Sequence, residues 1–328
     1  MTKELFEDYL TRFKGLPDLT LAKKIYKEHS ESYINLEAVR SKVRIWRGKK
    51  LQGGGGKLKT DTRFFEPKTG PINPFKLPES YAEDFTPFKI SQSKTLILSD
   101  IHIPYHDNKA IEVALKYGKD KGANCILING DLLDMPNHSK HERDWRHRTT
   151  KQEFEATSQF LNYLRHYFPT QRIIFKHGNH DERWEKWLYA KAPEIFDDKY
   201  YHLEQRLKLN DLRIETVKNK LPIQIGKLNV LHGHELQGSG GVNPARATFL
   251  KTIDNVLIGH CHRSSQHTEP TFGSKVIVTT SQGCLCGMWP MFARVNKWNH
   301  GFSFCEMEIK TGDYELDNLK IINGKIFK

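Results

Sequence analysis

Aspartate, histidine and asparagine residues occur in five short groups, each directly after an apolar run of the chain. The groups are Asp100-x-His102, Gly130-Asp131-x-x-Asp134, Gly178-Asn179-His180-Asp181, His232 and Gly259-His260-x-His262. Carboxylate, imidazole and amide oxygen without thiolate are more typical of a pair of manganese, iron or zinc ions than of a structural zinc site. Any one group is weak evidence, because Gly-Asn is ordinary turn sequence and a single histidine at a strand end is usually structural. Five such groups in one chain indicate a divalent-metal site.

The apolar runs before the groups predict β-strands that end where the polar residues begin. We expect these strands at residues 95–98, 125–128, 172–176, 228–231 and 255–258. Helical periodicity at 110–119, at 152–167 and after 182 completes the alternation typical of an α/β domain, and closing strands are predicted at 276–280, 302–309 and 314–321. Because the strands of one sheet deliver their ends to the same edge, the five groups are expected to converge, although Asp100 and His262 are 162 positions apart.

The order and spacing of the groups resemble the calcineurin-like metallophosphoesterase superfamily, whose pattern is D-x-H, G-D-x-x-D, G-N-H-[DE], H and G-H-x-H. The resemblance covers about residues 93–312 and does not reach the first 92 residues. It implies a four-layer α/β fold, a β-sandwich of two mixed sheets flanked by helices, which we assign to a catalytic domain at 93–328. It also implies two divalent metal ions, with manganese favoured and iron, zinc or nickel as alternatives, and hydrolysis of a phosphoester substrate.

Roles for individual residues follow from the same resemblance. It implies that Asp100, His102 and His262 hold one ion, that Asn179, His232 and His260 hold the other, and that Asp131 bridges both. Two such ions can activate a water molecule and stabilise charge on a phosphate. His180 is expected to protonate the leaving oxygen or to stabilise charge there, with Asp181 fixing its tautomer and orientation. Asp134 is expected to orient a ligand or to cap a helix, and His234 is expected to lie behind the ligands.

The first 50 residues predict a separate helical domain. Helices are expected at about 4–14, 20–28 and 36–47, and the last carries Arg40, Lys42, Arg44 and Arg47. Three short helices with a basic last one resemble a helix-turn-helix module, whose final helix would contact DNA through these side chains. The alternative is a small helical cap whose basic face is only solvated. Residues 51–92, which contain four consecutive glycines at 53–56 and five prolines, predict a linker.

Charge and composition narrow the class of protein. The formal charge is +12, and the first 60 residues hold 14 Lys and Arg against 7 Asp and Glu, while the other 268 hold 37 against 32. This imbalance favours a polyanionic partner such as DNA, although a basic protein without such a partner is an equal alternative. No apolar run has the length of a membrane span. The absence of a secretory signal and an odd number of cysteines, five, predict a reducing cytoplasm.

Together these features predict a metal-dependent phosphoesterase, with a DNA-directed phosphodiesterase, or nuclease, as the leading hypothesis. The alternative enzyme is a small-molecule or nucleotide phosphoesterase whose N-terminal helices serve packing or oligomerisation. A DNA-binding protein with an inactive catalytic domain is disfavoured, because every ligand position holds a competent residue. The His- and Arg-rich segment 138–148 is expected to be either a substrate-binding lid or a solvated loop, and His138, His141 or His147 could supply the additional histidine common in the nuclease branch. The organisation would fit a bacteriophage or mobile-element gene, and the oligomeric state stays open.

Overall fold

The computed structural model describes residues 1–48, 78–139, 149–238 and 240–328, and the chain forms two compact units, Met1–Ala82 and Glu83–Lys328. The first unit contains α1 (Lys3–Arg12), α2 (Asp18–Glu28) and α3 (Leu36–Trp46). The side chains of Thr2 and Asn35 begin α1 and α3 by accepting hydrogen bonds from backbone N–H groups of the first turn. The apolar faces of the three helices form a core of their own around Phe6, Ile25 and Val43, which are fully buried.

The second unit is an α/β domain with two mixed sheets. Its strands are β1 (Phe88–Ile90), β2 (Lys94–Leu98), β3 (Cys125–Asn129), β4 (Arg172–Lys176), β5 (Ile214–Val217), β6 (Ile223–Ile225), β7 (Leu228–Leu231), β8 (Val256–Ile258), β9 (Ser265–Pro270), β10 (Val276–Ser281), β11 (His300–Met307), β12 (Tyr314–Ile322) and β13 (Lys325–Phe327). Its helices are α4 (Asn108–Asp120), α5 (Thr150–Tyr167), α6 (Glu182–Lys191), α7 (Leu203–Arg206) and α8 (Pro244–Thr252). The six-stranded sheet has the order β1-β6-β7-β8-β10-β9, and the seven-stranded sheet has the order β13-β12-β11-β2-β3-β4-β5.

Alternation along the strands explains the layers. In β2, Leu96 and Leu98 face α4 and α5 in the largest apolar cluster, whereas Ile97 points the other way, into a cluster shared with the six-stranded sheet. That shared cluster contains residues of β3 and β4 from one sheet and of β6, β7 and β8 from the other, so the two sheets pack face to face. The predicted α/β sandwich of two mixed sheets flanked by helices, with small N-terminal helices, is confirmed.

The sequence pattern missed several elements of three to nine residues. Strands β1, β5, β6 and β13 have only three or four residues each, too few for alternation to be visible, and α8 and β9 were also not predicted. Strand β1 lies within the range expected to be a linker, and it pairs in parallel with β6. Most of that predicted linker, residues 51–77, lies outside the described residues. Among the described helices, none combines the length and apolar character that crossing a membrane requires.

Candidate metal centre

The five polar groups meet where the two sheets come together. Strands β2, β3 and β4, which lie side by side in parallel in the seven-stranded sheet, deliver the first three groups. Strands β7 and β8, parallel neighbours in the six-stranded sheet, deliver the last two. The expectation that one sheet edge collects all five groups was therefore wrong. Convergence depends on the packing of the two sheets, which brings the carboxyl ends of both strand sets to one place.

One half of the site is built around Asp100, His102 and His262. His102 Nε2 lies 3.2 Å from His262 Nε2, and His262 Nε2 lies 3.2 Å from Asp100 Oδ1. The Nδ1 atom of His102 is 2.9 Å from Asp134 Oδ1, a partner that favours the tautomer with the proton on Nδ1. The Nε2 lone pair of His102 is then directed at the shared space. These three side chains are buried and suit one divalent cation.

The other half of the site is built around Asp131. One ligand atom from each of Asp131, His232 and His260 lies within 4.8 Å of the other two. The Nδ1 atom of His232 is 2.8 Å from the carbonyl oxygen of Asn129; because a carbonyl only accepts, that nitrogen carries the proton. His232 Nε2 is 3.2 Å from Asp131 Oδ2 without hydrogen-bond geometry. Asp131 Oδ2 is also 3.7 Å from His102 Nε2, so this carboxylate lies between the two halves.

Several buried atoms of this region lack a hydrogen-bond partner among the described residues. They include both ring nitrogens of His234 and, among the expected metal ligands, Asn179 Oδ1 and His232 Nε2. A buried polar atom without a partner is costly, typically by about 1–3 kcal/mol, so such atoms call for an unseen partner. Asn179 Oδ1 and His232 Nε2 each offer a lone pair to a cation, and neither can donate a hydrogen bond to the other. Both atoms belong to the set expected to hold one ion. The residues present therefore fit a divalent metal ion.

Several of the converging residues have left-handed backbone conformations. The φ angles are 54° at Asp100, 50° at His102, 52° at Asp131, 62° at His260 and 53° at His262. Residues other than glycine rarely adopt positive φ, because their Cβ atoms crowd the backbone. Such strain persists only where the surrounding structure imposes it, and it concentrates at functional sites.

Glycines of the motifs are required by close approach. A Cβ atom at Gly178 would collide with the carboxylate and backbone nitrogen of Asp131. A Cβ atom at Gly259 would collide with the side chains of Ser99 and Asp100. In both places the neighbour is a residue of another strand end, so these glycines allow the strand ends to come together.

His180 lies two residues before the start of α6 and is held by Asp134. Its Nδ1 atom donates to the carbonyl oxygen of Asp134 at 2.8 Å and lies 3.2 Å from Asp134 Oδ1. Its Nε2 atom is 3.0 Å from a guanidinium nitrogen of Arg183, which also donates to the Asp134 carbonyl. Asp134 thus contacts both His102 and His180. Arg183 was not singled out from the sequence, although its position one helical turn after His180 is the spacing at which side chains of a helix meet.

The role expected for Asp181 is wrong. Its buried carboxylate does not contact His180 but accepts hydrogen bonds from the backbone N–H groups of Asp131, Leu133 and Gly178, at 2.8, 3.0 and 2.8 Å. Asp181 therefore fastens the turn after β4 to the turn after β3. The residue that orients His180 is Asp134, which sequence proximity did not indicate because it is 46 positions away.

A buried ion pair links the two sheets behind the site. Lys176, the last residue of β4, has no exposed surface, and its Nζ lies 2.9 Å from Glu235 Oε1 and 2.7 Å from the carbonyl oxygen of Leu221. Glu235 in turn accepts hydrogen bonds from the backbone N–H groups of His232 and Gly233. The pair holds the turn that carries His232, and no sequence pattern indicated it.

Three further side chains near the site have distinct surroundings. His234 is buried beside the site, with Nε2 3.4 Å from Glu182 Oε1, and its ring centroid is 5.3 Å from that of His232. Cys286 lies with its Sγ 3.8 Å from His262 Nδ1. His138 packs edge-on against Trp184. His141 and His147 lie outside the described residues.

Burial and neighbouring charges shift the pKa values of several residues in the site. Burial would raise the pKa of Asp131, but the imidazoles of His232 and His180 outweigh this effect and hold that pKa well below its usual range. Burial and the neighbouring His232 lower the pKa of His260 to about 4, which leaves its imidazole neutral and able to donate a lone pair. Burial opposes the charged form of His180, yet Asp131 and Asp134 raise its pKa above the ordinary value.

The residues expected to contact DNA differ in their freedom to do so. Arg47 is wrongly assigned: it forms a largely buried ion pair with Asp18 at 2.9 Å and donates to the carbonyl oxygens of Leu16 and Phe13, so it ties the end of α3 to the α1–α2 turn. Lys42 has its Nζ 4.8 Å from the ring centroid of Phe6. Two further residues, Arg40 and Arg44, remain partly exposed, and Arg40 pairs with Glu37 at 3.3 Å.

Comparison with known proteins identifies relatives of the second unit. A family model described as Calcineurin-like phosphoesterase matches residues 93–283, more than half of the chain. The gene 54 protein of Mycobacterium phage L5 is 25% identical over 256 residues, which cover 71% of this chain and 95% of that protein.

Solved structures with some likeness include Vacuolar Protein Sorting 29 from Cryptosporidium parvum, with 14% identity, coverage of 72% of this chain and 95% of that chain, and a TM-score of 0.39. The phosphoesterase Yfce from E. coli has 15% identity, coverage of 68% and 98%, and a TM-score of 0.33. The nuclease MPE from Pseudomonas putida has 16% identity, coverage of 69% and 87%, and a TM-score of 0.28.

Proposed function

The chain belongs to the calcineurin-like phosphoesterase family and is a metal-dependent phosphoesterase, and from that premise we propose that it hydrolyses phosphodiester bonds of DNA. The main observation in support of the phosphoesterase site is that three imidazole rings surround Asp131. Its carboxylate lies within 3.9 Å of ring nitrogens of His102, His180 and His232. One buried carboxylate among three imidazoles suits a bridging ligand between two cations.

Two divalent ions, with manganese favoured, are the proposed cofactors. We assign one ion to Asp100, His102 and His262, the other to Asn179, His232 and His260, and the bridge to Asp131. When bound, the ions supply Lewis-acid activation of the phosphate and of the attacking water. The hydrogen bonds from Nδ1 of His102 and His232 to oxygen atoms support this assignment, because they leave both Nε2 lone pairs available for ligation.

His180 is the proposed proton donor to the leaving oxygen. The carbonyl oxygen of Asp134 fixes its Nδ1 proton, so the Nε2 atom is the one that can exchange a proton with substrate. Asp131 and Asp134 stabilise the doubly protonated ring that the transfer requires. Arg183 donates to His180 Nε2 at 3.0 Å, so Nε2 carries no proton in this arrangement. The proposed transfer requires the guanidinium to turn from Nε2 to a non-bridging oxygen of the bound phosphate, which frees Nε2 to carry the proton.

Charge supports DNA as the substrate. The net charge of +12 favours a polyanion, and α3 presents Arg40 and Arg44 on a partly exposed face. Residues 1–48 hold ten Lys and Arg against seven Asp and Glu, a net charge of +3. Four of the seven net positive charges noted for the first 60 residues therefore come from lysines outside the described part of the chain. The helix-turn-helix resemblance stays a prediction. The phage relative supports our proposal that the gene is of bacteriophage or mobile-element origin. We also propose that the protein acts in the cytoplasm.

The test compares manganese-dependent hydrolysis of labelled DNA and of a chromogenic phosphodiester by the full chain and by His180→Gln. The wild type is expected to cut both substrates, and His180→Gln is expected to lose about 10²- to 10⁴-fold in rate while keeping its metal. Wild-type rates in that variant would remove His180 from the mechanism. Hydrolysis of the chromogenic diester without any cutting of DNA would favour the small-molecule or nucleotide phosphoesterase.

The DNA contact of α3 has its own matched control. Arg40→Gln/Arg44→Gln is expected to weaken DNA binding and to flatten its dependence on salt. Lys23→Gln/Lys27→Gln removes the same charge from exposed positions of α2 and should change binding less. Equal effects of the two double variants would mean that α3 makes no specific contact with DNA.

A further inference from the structure

A cleft of about 510 Å³ opens beside His260, at the rim of the candidate metal centre. Trp298 and Lys297 line it together with Arg263 and a glycine-rich turn. We propose that this cleft holds one unpaired nucleobase of single-stranded DNA, stacked on Trp298, while Lys297 pairs with a neighbouring phosphate. This inference rests on the proposed function, because it places the base next to the phosphate that the metal centre would cleave.

The position of Trp298 links the cleft to the metal centre. Its ring centroid is 4.2 Å from that of His262, with the planes at 64°, and it is 6.4 Å from the ring of Phe292. The ring is half-buried, so one part contacts a proposed metal ligand while another part faces the cleft. A tryptophan face offers a stacking surface for any base, because every base has a π face.

Exposed aromatic residues continue this surface along the connection between β10 and β11. Trp289 is 69% exposed and Phe292 is 73% exposed. Large apolar side chains exposed in one segment next to an active site usually mark a surface that binds something.

The charge of the lining segments selects a polyanion. Residues 236–251, 259–268 and 282–299 contain no Asp or Glu. Their basic residues are Arg246, Lys251, Arg263, Arg294 and Lys297. Arg263 is anchored to backbone carbonyl oxygens of the opposite wall, at 2.5 and 2.6 Å, whereas Lys297 has no hydrogen bond or ion pair with the described residues. A free ammonium beside an aromatic ring matches a nucleotide, and an apolar peptide would leave it unpaired.

Base pairing decides between single and double strands. A base can stack on Trp298 only after it has left its own partner and neighbours, which costs little in single-stranded DNA and several kcal/mol in a duplex. The cleft therefore favours single strands, frayed ends or flaps over intact duplex. This preference narrows the substrate class of the proposed function.

The experiment measures binding of two labelled single strands to the full chain by fluorescence anisotropy in EDTA. One strand carries thymine bases and the other is an abasic strand of equal length, so both have the same charge. The wild type is expected to bind the base-containing strand about 5- to 150-fold more tightly, the range for stacking of one base. Trp298→Leu should abolish this preference and Trp298→Phe should keep most of it.

Two further variants separate stacking from charge. Lys297→Gln should weaken binding of both strands by the same factor, because it contacts phosphate. Phe272→Leu removes a fully exposed aromatic ring that does not line the cleft and should change neither strand. Equal binding of the two strands by the wild type, or a preference that survives Trp298→Leu, would overturn the inference.

Cleavage in manganese distinguishes this inference from the proposed function. Cutting of single-stranded DNA without a base-dependent affinity would keep the nuclease proposal and remove the stacking cleft. A base-dependent affinity that requires Trp298, with no cutting of any DNA, would keep the cleft as a nucleotide-binding site and remove the nuclease proposal.

Discussion

The ion pair of Lys176 and Glu235 provides a direct test of how the two sheets hold the site. Lys176 is fully buried, and Glu235 is only 9% exposed. Because Glu235 accepts hydrogen bonds from the backbone N–H groups of His232 and Gly233, the pair connects β4 to the turn after β7. We predict that Lys176→Met destabilises the second unit and weakens metal binding through His232.

The distance of 2.9 Å sets the magnitude. Two unit charges at this separation attract by roughly 6 kcal/mol at an effective dielectric constant of about 20, before the cost of removing them from water. Lys176→Met leaves the carboxylate buried and unpaired, which typically costs about 3–5 kcal/mol. The double variant Lys176→Met/Glu235→Gln should lose less, because no charge remains unpaired and the amide oxygen can still accept one backbone hydrogen bond.

Urea unfolding of the full chain, followed by tryptophan fluorescence, measures these losses, since five of the six tryptophans belong to the second unit. The surface pair of Lys227 and Asp313, at 2.7 Å and more than half exposed, is the matched control, and Lys227→Met should cost about 1 kcal/mol or less. The reasoning fails if Lys176→Met costs no more free energy of unfolding than Lys227→Met. It also fails if the losses measured for Lys176→Met and for Glu235→Gln alone simply add in the double variant.

Three further predictions follow from other contacts. Burial raises the pKa of Glu153 from 4.5 to about 8, so the folded chain keeps a proton that the unfolded chain releases. The stability that this proton contributes is complete below the unfolded pKa and is lost as the pH rises through the folded pKa. Glu153→Gln should therefore flatten the fall in unfolding free energy between about pH 5 and pH 8. Equal slopes of unfolding free energy against pH in the wild type and the variant would contradict this. Arg47→Ala should destabilise the three-helix unit by about 1.5–3 kcal/mol, because it removes the ion pair with Asp18. The loss of helical circular dichroism on heating measures this change. An unchanged transition would mean that Arg47 does not stabilise the unit. Asp181→Asn should lower thermal stability and phosphoesterase activity together, because an amide can satisfy fewer of its three backbone donors; full stability with lost activity would instead indicate a direct catalytic role.

The sequence alone determined the strands, their polar ends and the family. Each of the five groups follows an apolar run, and the end of a strand depends on residues that are neighbours along the chain. The same local information predicted α1, α2 and α3 from their apolar spacing. Strands β1 and β6 were not predicted, because three residues show no recognisable period and each of these strands has a polar residue at its centre, whereas the equally short β8 is a continuous apolar run.

Tertiary packing decided which polar residues form hydrogen bonds and ion pairs with one another. Asp181 is next to His180 in sequence, yet its carboxylate reaches the amides of Asp131 and Leu133, and Asp134 orients His180 from 46 positions away. Likewise, Arg47 forms an ion pair with Asp18 inside the three-helix unit, and Lys176 pairs with Glu235, which follows a strand of the other sheet. Hydrogen-bond partners of this kind depend on which backbone groups two packed layers bring within about 3 Å, and local spacing carries no information about that distance.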